Sequence, residues 1–83
     1  MKAIYFAWVR ERIGVEAEEI APPETVATAA DLIDWLATRD EAHAFAFEDR
    51  AAIRVAIDRR HAQPGASLAG AREVAFFPPM TGG

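Results

Sequence analysis

The sequence predicts an α+β domain in which one helix covers one face of a mixed β-sheet. Three observations carry that expectation. The chain has 83 residues, enough for one domain with a thin core. Two runs rich in aromatic and β-branched residues, Lys2 to Val9 near the start and Glu73 to Phe77 near the end, read as strands. Between them, the stretch after Thr28 places its apolar residues at helical spacing.

Taken in order, Lys2 to Val9 is the first predicted strand. Gly14 punctuates a link, and Glu16 to Ala21 alternates enough to make a second strand. The resulting hairpin is closed by Pro22-Pro23. Thr28 is a good N-cap, and Asp31 sets a carboxylate at the positive end of the helix that follows. Leu32, Ile33 and Leu36, with Ala29 or Ala37, form its apolar stripe. Trp35 sits at the stripe's edge, Asp34 and Thr38 point away, and Arg39-Asp40 closes the helix. Ala42 to Phe47 reads as a short helical turn that packs aromatics under the sheet. Ile53 to Ile57 alternates cleanly as a strand, Asp58-Arg59-Arg60 turns it back, and His61-Ala62 makes a short return strand. Gln63-Pro64-Gly65 is a turn, Leu68 plugs the core, and Glu73 to Phe77 is the final strand. Strand, strand, helix, strand, short strand, strand suits a β-grasp (ubiquitin-like) domain over 1–79. In it the first and last strands pair in parallel at the sheet centre. Residues 80–83 form a flexible Gly-Gly tail.

Composition narrows the function. The chain is 52% hydrophobic and 27% charged, too apolar for disorder. Its net charge is −4, with no basic stripe, which argues against nucleic acid. No apolar run approaches the roughly 20 residues of a membrane span, and the start lacks a signal-peptide cleavage site. There is no cysteine, so no disulfide, thiolate nucleophile or thiolate-bound metal. A cytoplasmic location is expected. Glu16, Glu18 and Glu19 read as a solvated strand face, with a basic partner as the alternative.

Strand parity points to a surface. Ile4, Phe6 and Trp8 share one parity of the first predicted strand, and Phe76 and Phe77 must point to opposite faces. Only one face can meet the helix, so large apolar side chains are left on the other. Such a patch marks an interaction surface unless the small core wraps both faces. The expected partner surface is Phe6, Trp8 and Phe77, with Arg10 at its rim, continuing into Pro78, Pro79 and Met80.

No constellation for autonomous catalysis is present. The glycines match neither dinucleotide nor phosphate-loop spacing, His43 and His61 are isolated, and no metal site is expected. The ending Phe76-Phe77-Pro78-Pro79-Met80-Thr81-Gly82-Gly83 is what remains. Two prolines stop sheet pairing, and glycines cannot repay the entropy of ordering. Gly-Gly alone also fits a frayed terminus, but the Phe-Phe-Pro-Pro lead-in favours a tail that threads a channel, with Thr81 and Gly82 passing through and Gly83 reacting. A free carboxylate is a poor electrophile. Adenylation neutralises it and supplies a leaving group, after which a sulfur nucleophile can leave a thiocarboxylate. The nucleotide and the sulfur must come from partners.

Tyr5-Phe6-Ala7-Trp8-Val9-Arg10-Glu11, the capped helix from Thr28 to Leu36 and the ending from Glu73 to Gly83 resemble the small subunits of molybdopterin synthases, a ubiquitin-like sulfur-carrier family. The resemblance covers essentially the whole chain. It implies a β-grasp fold and adenylation of Gly83 by a ubiquitin-activating-type enzyme that uses ATP. Thiocarboxylation would follow, then insertion of the tail into the large subunit of a heterotetramer. There sulfur passes to a cyclic pyranopterin precursor and builds the dithiolene of molybdopterin, for molybdenum cofactor biosynthesis. The chain would be a non-autonomous sulfur-donating subunit with no tightly bound cofactor; Phe6, Arg10 and Phe77 match partner-surface positions. Two turns depart from the family pattern. Ala71-Arg72 stands where Gly-Asp is usual, and Asp58-Arg59 where Asn-Gly often occurs. Carriers of other pathways (thiamine, tRNA thiolation), protein modifiers and a plain interaction module remain alternatives.

Overall fold

The computed structural model describes residues 1–79. Its strands are β1 (Lys2–Tyr5), β2 (Ala17–Glu19), β3 (Arg54–Ile57), β4 (Arg60–Ala62) and β5 (Glu73–Phe77). They form one sheet in the order β2-β1-β5-β3-β4. β1 and β5 run parallel, with Ala3 opposite Val74 and Tyr5 opposite Phe76. The remaining pairs, β1 with β2, β3 with β5 and β3 with β4, are antiparallel. This is the predicted α+β grasp, with the first and last strands paired in parallel inside the sheet.

The main helix, α2 (Ala29–Ala37), forms as its sequence dictates. Thr28 Oγ1 accepts from the Asp31 backbone N–H at 3.1 Å, and Asp31 Oδ2 accepts in return from the N–H of Thr28 at 3.2 Å. That reciprocal cap satisfies donors the helix cannot use itself. Ala29, Leu32, Ile33 and Leu36 are buried. The helix ends at Ala37 on Thr38, short of Arg39-Asp40, because the Thr38 N–H and hydroxyl turn back onto the Trp35 carbonyl.

The first strand is shorter than its composition suggests. β1 stops at Tyr5, Phe6 is extended, Ala7 takes φ +52°, and the chain enters a further helix, α1 (Ala7–Ile13). Neither glycine nor proline marks this bend. The trace it does leave is four-residue spacing: Val9 is buried and Ile13 packs against the core, while Trp8 and Arg12 meet on the helix flank. Gly14 ends α1 at φ +97°, a left-handed cap that side chains disfavour.

A third helix, α3 (Glu41–Ala46), follows Asp40, whose side chain accepts from the His43 N–H at 2.8 Å. Phe47, just past it, is fully buried, whereas Phe45 is 49% exposed, so only part of the predicted aromatic packing lies under the sheet. The core joins Tyr5, Phe47 and Phe76 to Val9, Leu32, Leu36 and Val74. The Phe47 and Phe76 rings meet edge-on at 5.2 Å and those of Tyr5 and Phe76 stack at 5.8 Å. Each such side chain contributes roughly 1.5–3 kcal/mol of burial. Leu68 closes the bottom from its loop, as expected.

The β3–β4 turn shows how the sequence departure is absorbed. Asp58 and Arg59 both take positive φ, +48° and +71°, the conformation that Asn-Gly provides without strain. Asp58 compensates by accepting from the N–H groups of Arg72 and Glu73 at 2.9 and 3.0 Å. Those two bonds hold its carboxyl below the ordinary value. Among the described residues, no helix is long and apolar enough to cross a membrane.

Candidate functional site

Register divides the sheet into two faces. Ala3, Tyr5, Val55, Val74 and Phe76 point into the core. The opposite parity builds an open face of three cross-strand rows. Glu19, Lys2 and Glu73 lie across β2, β1 and β5, an alternating row of charge. Next come Ala17, Ile4, Ala75, Ala56 and His61, one from each strand in sheet order. The last row holds Phe6 and Phe77, where β5 hands over to the tail. Small side chains in the middle row leave a shallow apolar trough lined by Ile4, Phe6, Ala56, Ala75 and Phe77, with Arg59 and Glu73 at its charged end.

Phe6 reaches this row because β1's hydrogen bonding continues one residue beyond the strand: its N–H donates to the Phe76 carbonyl at 3.0 Å. It is 47% exposed, among the few large apolar side chains so placed. Phe77 is half-buried, and His61 stands edge-on to it with ring centroids 5.5 Å apart. Pro78 and Pro79 are partly exposed and carry no N–H, which ends pairing at the sheet margin. Arg10 is exposed on α1. Met80, Thr81, Gly82 and Gly83, the tail expected to thread and react, lie outside the described residues.

Trp8 is the correction to the predicted surface. It belongs to α1, packs against the core and lies under the Arg12 guanidinium, 4.5 Å from its ring centroid. Arg12 also stacks over Phe45 at 4.1 Å and donates to the Phe45 carbonyl at 3.2 Å. Trp8 therefore joins α1 to α3. The alternation that placed it beside Phe6 stops at Ala7.

The second correction concerns the acidic segment. Glu18 has core parity and is not on a solvated face. Its Oε2 accepts from the Tyr5 hydroxyl at 2.7 Å and lies 2.7 Å from His43 Nε2, while His43 Nδ1 lies 2.7 Å from Asp40 Oδ1. His43, read as isolated from the sequence, is buried. Burial opposes the Glu18 charge, but bonds from His43 and Tyr5 and the nearby Arg39 more than offset it, so its carboxyl sits below the ordinary value. The Tyr5 hydroxyl is pushed far upward, by burial first and then by Glu18. Tyr5 and His43 are buried, Glu18 is partly so and Asp40 is exposed, and the four groups satisfy one another. Among the described residues no group of His, Cys, Asp and Glu could hold a metal ion. What the open face presents is an apolar trough whose aromatic end adjoins Pro78 and Pro79.

A model of the ThiS family matches residues 3–83. The chain belongs to the ThiS family. It is 35% identical over 83 residues to the molybdopterin synthase sulfur carrier subunit of Escherichia coli, covering 100% of this chain and 99% of that protein. The corresponding Haemophilus influenzae subunit is 34% identical over the same extent. The resemblance read from the sequence is thereby borne out. Among solved structures, small archaeal modifier protein 1 of Haloferax volcanii matches with a TM-score of 0.74 at 28% identity, covering 96% of this chain and 97% of that one. A molybdopterin converting factor subunit 1 from Pyrococcus furiosus, so described provisionally, matches at 0.71 and 28%, covering 95% of each chain. These neighbours share the grasp fold.

Proposed function

We propose that this ThiS-family chain is the sulfur-carrier subunit of a molybdopterin synthase and that Gly83 carries the sulfur. The observation that supports it most is the pairing of two facts. Full-length relatives bear that name, and the aromatic row of the open face ends where β5 passes into a Gly-Gly terminus. In this reading a ubiquitin-activating-type enzyme transfers AMP from ATP to the Gly83 carboxylate. A sulfur nucleophile then displaces AMP and leaves a thiocarboxylate. The apolar trough and the Phe6 and Phe77 rings dock on the large subunit, with Arg10 at the rim, and Pro78-Pro79 direct the tail away from the sheet. Thr81 and Gly82 pass through a channel too narrow for larger side chains, and the thiocarboxylate donates its sulfur to the pyranopterin precursor. The chain itself binds no cofactor tightly; ATP belongs to the activating partner.

The test is a synthase reconstituted with the large subunit and thiocarboxylated carrier. Deleting Gly83, or adding one residue after it, abolishes sulfur transfer and leaves the thermal melt nearly unchanged. Retained transfer rejects the mechanism. A second reading, a protein modifier, is favoured by the archaeal structural neighbours. It predicts Gly83 joined to amines of other proteins and no binding to a synthase large subunit.

A further inference from the structure

In sheet order the charged row of the open face runs Glu19 on β2, Lys2 on β1 and Glu73 on β5. Arg59, from the β3–β4 turn, extends it by donating through Nε to Glu73 Oε1 at 3.2 Å. The signs are minus, plus, minus, plus. An alternating row of even length becomes its own complement when reversed, whereas one of odd length does not. Reversal is what a two-fold axis produces when it lies in the plane of contact and runs along the strands. With that axis between β1 and β5, Lys2 faces Glu73 of a second copy and Glu19 faces that copy's Arg59. Each contact then occurs twice, and the Glu19 and Arg59 side chains are exposed and long enough to reach.

The same rotation suits the two apolar rows. In the middle row it sets Ile4 against Ala75 of the copy, large against small, and Ala17 against Ala56. In the last row it sets the exposed Phe6 against Phe77, aromatic against aromatic. Sheets stacked face to face keep their strands within about 30° of each other at a spacing of about 10 Å. The central strands β1 and β5 therefore hold closest to this register, and twist carries the edge strands away from it. His61, on the β4 edge, has no counterpart in the copy.

We propose that the open face pairs with the open face of a second copy of this chain, in an isologous dimer whose axis runs between β1 and β5. The three rows bring about ten side chains from each copy into contact, against the roughly 20–30 a side of a standard interface. The pair is therefore weak, with a Kd of roughly 10–500 μM. It covers the apolar trough of a chain that has no other partner. The proposed function docks the same face on a large subunit, so the two occupants exclude each other. That consequence rests on the proposed function; the pairing does not.

The test follows the full chain alone by sedimentation equilibrium up to about 1 mM, at about 20 mM salt where screening is slight. A monomer–dimer equilibrium is expected, with concentration-dependent amide shifts at Ile4, Ala56 and Ala75 and none along α1. Lys2→Glu alone and Glu73→Lys alone each set like charges together at both contacts and should weaken dimerisation by about tenfold or more. Mixed in equal amounts, the two variants regain opposite signs at both contacts, and association should return to within about threefold of the original. Glu19→Lys with Arg59→Glu repeats the exchange at a second pair, and thermal melts establish that each variant is folded. A chain still monomeric at about 1 mM leaves the face to another protein and overturns the proposal. So does a dimer indifferent to these reversals, or a mixture that associates no better than either variant. No large subunit, ATP or sulfur source enters, so failure here leaves the sulfur-transfer result standing, and the reverse holds too.

Discussion

His43 Nε2 lies 2.7 Å from Glu18 Oε2, tying α3 to β2 across 25 residues of sequence. The same carboxylate oxygen takes the Tyr5 hydroxyl, and the other imidazole nitrogen meets Asp40. This chain of polar groups crosses from sheet to helix beside the aromatic core, and no buried side-chain polar atom among the described residues lacks a partner. Removing one member leaves the next buried and unpaired, which costs more than the bond itself contributes. His43→Ala should therefore lower stability by about 2–3 kcal/mol in urea unfolding. Asp40→Asn, at a largely exposed position where asparagine still caps α3, should cost much less than His43→Ala. Equal losses would show that the network is not what fixes α3.

Acid should unfold the protein through identifiable carboxylates. Glu18 is held low despite its burial by His43, Tyr5 and Arg39; Asp31, Asp40 and Asp58 are held low chiefly by backbone N–H groups of Ala27 and Thr28, His43, and Glu73 and Arg72 respectively. A folded value below the unfolded one means stability that is present above the unfolded value, near pH 4, and lost as pH falls through the folded value. Urea midpoints should fall steadily below about pH 4, and Asp58→Asn should make that fall shallower. A midpoint independent of pH down to about 2.5 would contradict the geometry.

Alkali acts through Tyr5 in the opposite sense. Its folded value is raised, so its contribution is complete below the unfolded value of about 10 and is lost as pH climbs beyond it. Stability should drop above about pH 10 with tyrosinate absorbance appearing only on unfolding. In Tyr5→Phe that drop should shrink.

How far the sequence reveals this molecule depends on whether the signal is local. The Thr28–Asp31 cap, the stripe on α2 and the alternation of β3 are short-range patterns, and each formed as expected. The bend at Ala7 carries no glycine or proline, since alanine occupies a left-handed conformation there, and the four-residue spacing beyond it is outweighed by the strand-like composition of Lys2 to Val9. Hence Ala7 to Val9, the first residues of α1, read as strand, and Trp8 as surface. The polar chain from Tyr5 to Asp40 joins residues far apart in sequence, and only the strand register brings Glu18 to the inside. The docking face was half legible: Phe6 and Phe77 follow from parity, but Ala17, Ala56, Ala75 and His61 carry no signal until the strand order is known.

Strain at Ala7 gives a direct measurement. Its φ of +52° aims Phe6 outward and Val9 inward, and a β-branched side chain tolerates that region worst. Ala7→Val should destabilise by about 1–2 kcal/mol, while Ala7→Gly should be neutral or stabilising by up to about 1 kcal/mol. The reverse order would mean that the bend is relaxed in solution.

The last prediction separates docking from folding on neighbouring aromatics. Phe6 is exposed at the trough and Phe77 lies half-covered beside it, whereas Trp8 is partly buried against the core and covered by Arg12. Phe6→Ala and Phe77→Ala should each weaken binding to a synthase large subunit by roughly 10- to 100-fold, the range for central aromatic contacts. Phe6→Ala in particular should barely move the melting temperature. Trp8→Ala should do the converse, lowering stability by about 2–4 kcal/mol while leaving affinity at permissive temperature within about threefold. Titration calorimetry and thermal melts on the same three variants decide it. If Trp8→Ala abolishes binding while its melt is unchanged, the contact surface follows α1, and the open-face assignment fails.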